Sequence, residues 1–247
     1  MSDSRSSFYC GRPVGTGADD VAQDNHFALA IDFIEAGMSP EKPCNLLDIG
    51  FAQPGFLEYM TRKHPNIDGY GCDISEPRVA AADAGGRIEF KLVDFNECQD
   101  AYPSSFFDYI FAGEIIEHLE NTDNLIIESI RQLKSGGYLI VTTPNLAAWY
   151  ERLLLLFGME PFMAEVSYRS RIFGKSLLYR VVGKSESPPV GHLRLFTPAA
   201  LKELCEYHGL IPVRHVGYHT HDFILNRWIS RVYKNLAEGI FMVFMKP

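Results

Sequence analysis

No stretch of this chain stays apolar long enough to cross a membrane. The longest apolar run, residues 153–157, falls far short of the roughly 20 residues that a spanning helix needs. Residues 1–7 also lack the apolar core of a secretory signal, so a cytoplasmic protein with no membrane span is expected. Paired cysteines are missing too. The five present, Cys10, Cys44, Cys72, Cys98 and Cys205, are scattered and never form C-x-x-C, which argues against a disulfide framework or a thiolate zinc site and predicts reduced, mostly buried thiols. Positive charge is in deficit, with 23 Lys and Arg against 31 Asp and Glu for a net −8. That balance disfavours a general nucleic-acid binder, whose phosphate contacts call for a basic face. What is present is an ordinary globular mixture, 47% apolar and 22% charged over 247 residues, enough for one large α/β domain. A single domain over 1–247 is expected.

The chain is organised around Leu46-Leu47-Asp48-Ile49-Gly50-Phe51-Ala52-Gln53-Pro54-Gly55. A short apolar strand ends there in a carboxylate and a glycine-bearing turn, where the backbone can approach a ligand closely. A helix over 19–36 is predicted to precede it, because Val21, Phe27, Ile31 and Ile34 recur at near-helical spacing before Gly37 and Pro40. Residues 1–16 read as a loose tail. Strands are predicted over 43–50, 67–73, 87–93, 107–112 and 138–143. Helices over 54–63, 75–84 and 121–134 alternate with them, and Ser75 suits an N-cap. Such alternation predicts a Rossmann-like, doubly wound, mostly parallel sheet with right-handed crossovers.

After Pro144 the alternation breaks. Residues 146–190 are predicted to form an inserted, mostly helical cap, rich in aliphatic and aromatic side chains and locally basic through Arg152, Arg169, Arg171, Lys175, Arg180 and Lys184. A cap in that position is where acceptor specificity is expected, although simple packing explains its apolar residues and a solvated face its basic ones. Thr197-Pro198 then marks a helix start. A sixth strand is predicted over 210–216, a helix over 223–236 and a seventh strand, antiparallel to its neighbour, over 240–245.

A nicotinamide fold would place G-x-G-x-x-G after the first strand, but this chain has Gly50-x-Ala52-x-Pro54-Gly55. Asp48-Ile49-Gly50, an acid ending the second strand (Asp73) and another after the third (Asp94) instead resemble the class I S-adenosylmethionine-dependent methyltransferases. The resemblance extends through Phe111 to Leu119, Leu133 to Asn145 and Gly191 to Pro198. It implies that Asp73, with Ile74 beside it, accepts the ribose hydroxyls and that Asp94 with Phe95 meets the adenine. It implies further that Asp48, Gly50, Phe51, Gln53 and Gly55 hold the methionine end, with Gly113 completing the cofactor set. Phe51, Ala52 and Pro54 depart from the family's smaller residues at this turn, and one extra residue precedes Gly55.

Glu114-x-x-Glu117-His118 follows the fourth strand, at the edge where open α/β sheets bind ligands. If the segment turned helically, its spacings of three and four would put all three side chains on one side. The pattern is similar to one in ubiquinone-pathway O-methyltransferases and small-RNA 3′-end methyltransferases, where it serves as a divalent metal site with a later histidine that His192 would match. Three readings stay open: a metal site, His118 as base or substrate orienter, and structural pairing. A hydroxyl acceptor must lose its proton, and His118, His192 and Glu114, in that order, are the candidate catalytic groups. The expected function is methyl transfer from S-adenosylmethionine to a hydroxyl of a small-molecule acceptor, lipid-linked or glycan-derived. A metal-assisted RNA-end methyltransferase and a non-catalytic S-adenosylmethionine-binding module are the alternatives, and no signature of an oligomeric state is present.

Overall fold

The computed structural model describes residues 21, 25–82, 87–97, 100–182, 188–221 and 224–247. The expectations for the 1–16 tail, the start of the first helix, Cys10, Cys98 and Lys184 lie outside the described residues. Seven strands form one sheet: β1 (Cys44–Ile49), β2 (Ile67–Asp73), β3 (Ile88–Leu92), β4 (Phe107–Gly113), β5 (Leu133–Pro144), β6 (Ile211–Tyr218) and β7 (Gly239–Met245). Their order is β3-β2-β1-β4-β5-β7-β6. The first five run parallel. β7 is antiparallel to both of its neighbours, so β6 points the same way as β1 to β5. This is the expected Rossmann-like, doubly wound sheet with the last strand reversed.

Alternation along β1 explains why both faces of the sheet are covered. Leu46 and Leu47 are both fully buried, and successive strand residues point to opposite faces. Leu47 joins a core made with Leu125 and Ile126 of α4 (Thr122–Gln132) and Leu201 and Cys205 of α7 (Pro198–Tyr207). Leu46 joins a second core with Ala30 and Ile34 of α1 (Asn25–Gly37) and Phe56 and Met60 of α2 (Gly55–Lys63). Each fully buried leucine contributes roughly 1.5–3 kcal/mol. α3 (Glu76–Ala82) begins directly after Ser75, and Thr197 caps α7 by accepting from the Ala200 amide at 3.2 Å.

Where the elements differ from expectation, a distant partner decides. β5 starts at Leu133, five residues before the predicted Tyr138, because Leu133 pairs with Phe107 and the Gly136-Gly137 backbone bonds to Lys246 in both directions, at 2.8 and 3.0 Å. In the 146–190 region two short helices, α5 (Trp149–Leu156) and α6 (Ser176–Val182), flank irregular chain. The last helix, α8, covers Ile224–Val232 and is followed by a separate 3₁₀ turn, Lys234–Leu236. Cys44, Cys72 and Cys205 are free and buried.

Candidate active site and cofactor cleft

Strand order reverses direction between β1 and β4, and at such a switch point the crevice opens outside the carboxyl ends of the strands. A cavity of about 900 Å³ lies there. Asp73, Ile74, Asp94 and Phe95 line one part of it. Glu114, Glu117, His118, His192 and Tyr218 line another, and Met163, Tyr168 and Arg171 from the chain between α5 and α6 also face it.

The Asp73 carboxylate is held from three sides. One oxygen accepts the Ser75 amide at 2.8 Å; the other accepts the Ala52 amide at 3.2 Å and lies 3.4 Å from the Arg78 guanidinium. The turn that brings Ala52 here runs through Gly50 (φ 73°) and Ala52 itself (φ 46°). A Cβ at Gly50 would sit 2.8 Å from the Ile115 side chain, so this glycine is required both by its conformation and by close approach. Asp94 forms a tight local turn, accepting the Asn96 amide and side-chain NH₂, both at 2.9 Å. The Asn96 side-chain oxygen in turn accepts the amides of Glu120 and Asn121, at 2.7 and 3.1 Å.

Of the residues expected at the cofactor, Gly50, Asp73, Ile74, Asp94 and Phe95 line the cavity. Asp48, Phe51, Gln53, Gly55 and Gly113 do not. Asp48 lies beneath the floor, 3% exposed. Burial, and then the charge of Asp73, push its carboxyl well above the usual range. Phe51 turns into the core, with its ring 4.8 Å from that of Phe90. Gly71 leaves the space for both rings, since a Cβ there would meet Phe90 at 2.6 Å and Phe51 at 3.1 Å. Gln53 is exposed, Gly55 is buried at the start of α2, and Gly113 closes β4.

The acid-histidine group is arranged differently from a helical stripe. Ile116–His118 forms a single 3₁₀ turn, and Glu114 precedes it in the left-handed region at φ 52°, a conformation that costs a non-glycine residue free energy and clusters at functional sites. Glu114 therefore separates from the other two: its amide bonds to the Thr142 carbonyl at 3.0 Å, and its carboxylate accepts the Tyr218 hydroxyl. Burial, and next the Glu114 charge, push the Tyr218 phenol far up, so it stays a donor. Glu117 points inward, 1% exposed, and accepts the Thr143 hydroxyl at 3.0 Å. Its carboxyl is raised first by burial and second by Glu114.

Both histidines bond through Nδ1 to a carbonyl, His118 to Gly191 at 3.0 Å and His192 to Met163 at 3.1 Å. A carbonyl only accepts, so Nδ1 carries the proton and Nε2 the lone pair on each ring. His118 Nε2 lies 3.8 Å from Glu117 Oε1, and the two rings are 5.1 Å apart. One ligand atom each from Glu117, His118 and His192 fits within a 4.8 Å set. Burial holds the His192 imidazole below its ordinary value.

Sequence reasoning missed two further groups. Tyr218 ends β6 and carries no local signal. Glu165 sits in the irregular chain and grips the segment bearing His192, accepting the amides of Val190 and Gly191 at 2.7 Å and of His192 at 3.2 Å, with the Arg171 guanidinium 3.1 Å away. Burial raises the Glu165 carboxyl, but these donors and the His192 and Arg171 charges outweigh it and hold the group below its usual range. The remaining histidines serve packing or surface pairs: His64 with Glu35 and His208 with Asp123, both at 2.8 Å, and His221 with Glu238 at 3.1 Å. His219 lies 3.3 Å from the Ser230 hydroxyl.

Comparison with known proteins agrees with this geometry. A family model described as a methyltransferase domain matches residues 23–214. Ajmaline N-methyltransferase of Rauvolfia serpentina is 32% identical over 118 residues, covering 45% of this chain and 40% of that protein. Ubiquinone biosynthesis O-methyltransferase of Dechloromonas aromatica (strain RCB) is 26% identical over 122 residues, 47% of this chain and 51% of the other. This chain thus spans about half the length of the curated relatives it matches. Among solved structures, the putative methyltransferase bound to the Trm112 activator of Haloferax volcanii superposes with a TM-score of 0.61 at 15% identity, over 98% of this chain and 97% of that one. With the family model covering most of its length, a doubly wound sheet and a cleft at the switch point, the chain belongs to the class I S-adenosylmethionine-dependent methyltransferases.

Proposed function

We propose that this protein transfers the methyl group of S-adenosylmethionine to a hydroxyl on a small acceptor, lipid-linked or glycan-derived. The observation that carries the reading is one cavity bringing Asp73 and Asp94, from successive strand ends, together with Glu114, His118 and His192. S-adenosylmethionine supplies a methyl already activated on a sulfonium, so the protein's work is alignment and removal of the acceptor proton. The residues present fit that cofactor. Asp73, fixed by Ala52, Ser75 and Arg78, offers a carboxylate to a diol, and Asp94 with Phe95 borders the space for a purine. His118 Nε2 takes the acceptor proton, His192 is the second candidate, and Glu114 orients through its bond to Tyr218. The inserted 146–190 region selects the acceptor, since Met163, Tyr168 and Arg171 contribute to the cavity from it.

Titration calorimetry tests the cofactor. Saturable S-adenosylmethionine binding is expected, weakened at least tenfold in Asp73→Ala. Asp73→Asn, which keeps the side-chain volume and one of the two oxygens that accept the Ser75 and Ala52 amides, is measured beside it, with circular dichroism of both variants as the control for folding. Absence of binding by the unmodified protein overturns the reading.

The Glu117, His118 and His192 atoms support a second reading in which a divalent metal assists. Two imidazoles and one carboxylate suit Zn²⁺, Mn²⁺ or Fe²⁺ better than Mg²⁺. The Nδ1–H bonds to the Gly191 and Met163 carbonyls are the outer contacts that fix a ligating ring, and Glu117 Oε1 accepts no hydrogen bond among the described residues. A metal held there would acidify an acceptor hydroxyl. Turnover unchanged by a strong chelator, with no metal in the purified protein, removes this version and leaves the first.

A further inference from the structure

We propose that α8 docks this protein flat on an anionic lipid bilayer. α8 turns the wrong face outward for a helix of a water-soluble surface. Ile224, Leu225, Trp228 and Val232 are 88%, 47%, 54% and 53% exposed, whereas the buried residues are Asn226, Ile229 and Ser230, at 4%, 6% and 9%. At 100° per residue these four apolar positions form one continuous stripe, and the polar pair occupies the opposite side. The inward polar side chains are accommodated: Asn226 accepts the Trp149 indole N–H at 2.9 Å, which ties the start of α5 to α8, and Ser230 bonds to the Arg227 carbonyl at 3.1 Å.

Charge identifies what covers this face. Exposed Arg227 and Arg231 border the stripe and Lys234 follows, while no Asp or Glu occurs from Ile224 to Ala237 in a chain of net charge −8. A solvent-facing apolar stripe with tryptophan and a basic margin is the composition of an interfacial helix, whose apolar side enters the acyl boundary while its cations meet anionic head groups. A twofold contact between copies of this helix would instead bring like charges together without an acid on the helix to offset them. No helix among the described residues is long and apolar enough to cross a membrane; α8, about 13 Å long by its nine residues, lies in the plane.

The face adjoins the cleft. The chain leaves the cavity wall at Thr220, runs through α8 and returns to it at Glu238, whose carboxylate accepts the Thr220 and His221 amides at 2.8 and 3.0 Å. The docking does not depend on which atom receives the methyl group.

Cosedimentation with vesicles of phosphatidylcholine alone, and of phosphatidylcholine mixed with phosphatidylglycerol, tests it. The full chain is expected to partition onto the mixed vesicles, to be released by rising salt and to ignore the neutral ones. The R227E/R231E double variant and Trp228→Ala should each lower partitioning roughly tenfold, with unchanged circular dichroism and S-adenosylmethionine affinity. These positions are exposed, so folding is preserved, and cofactor binding measured on the same samples reports separately on the proposed function. Partitioning onto neither vesicle, or equally onto both, overturns the proposal. So does a dimer in light scattering that Trp228→Ala converts to monomer, because a second copy then covers the face.

Discussion

His118 and His192 take their orientation from backbone carbonyls of two different segments, Gly191 and Met163, so each imidazole directs Nε2 away from the carbonyl that holds its Nδ1–H. Replacing His118 by alanine is expected to lower turnover by about 10²–10⁴, the usual worth of a general base, while S-adenosylmethionine affinity stays within about twofold. Single-turnover rates alongside calorimetry check this, and an unchanged rate returns the base role to His192. At this scale the meeting of Asp73 and Asp94 at one cavity was legible, and the contacts of Tyr218 and Glu165 were not. Asp73 and Asp94 are ends of consecutive strands, a pattern visible along the chain. Tyr218 meets Glu114 across 104 positions, and Glu165 reaches Val190 from 25 away, so nothing local marks either one. The burial of Phe51 was hidden for a related reason: the room that Gly71 leaves on the next strand lets its ring pack against Phe90, away from the cavity lining.

The short helix α5 is anchored by an acid. Glu151 is fully buried, accepts the Phe162 amide at 2.7 Å, and leaves its other oxygen without a hydrogen bond among the described residues. Burial pushes its carboxyl up to about 7, against the opposing pull of the Phe162 and Met163 amides and of Lys175 and Arg171. The folded chain therefore keeps a proton that the unfolded chain releases near pH ~4.3. Stability from this group is present below that value and is lost as pH rises to about 7. Glu151→Gln keeps the acceptor for Phe162 and removes the charge. Between pH 5 and 8 the unmodified protein should lose up to about 3 kcal/mol relative to the variant, read from urea midpoints at each pH; parallel profiles would refute the assignment. Periodicity located α4, whose apolar face repeats within one helix, and the Thr197-Pro198 start signal located α7. Periodicity placed the start of β5 late, because the pairing of Gly136 and Gly137 with Lys246 depends on the far end of the chain.

Across the whole molecule, ligand binding and folding are linked. A ligand that binds the native state at a hundred times its dissociation constant stabilises it by about 2.7 kcal/mol, which for a chain of this size raises the unfolding midpoint by about 5–10 °C. S-adenosylmethionine should produce that shift in a thermal melt, and at the same concentration Asp73→Ala should cut it to about half or less; a midpoint indifferent to the cofactor contradicts native-state binding. The sheet class was legible from strand-helix alternation, and the seventh strand over 240–245 pairs antiparallel as expected. The antiparallel insertion of β7 between β5 and β6 has a consequence for the order in which the protein matures. The cavity residues Asp73, Asp94, Glu114 and His118 have all been made by the time the ribosome reaches β5. Tyr218 and Glu238 arrive only with the last quarter of the chain, and β6 reaches the sheet only through β7. A nascent chain can thus hold most of the cavity's lining while its last wall, Tyr218 and Glu238, is still to come, and that wall closes only when β7 enters the sheet.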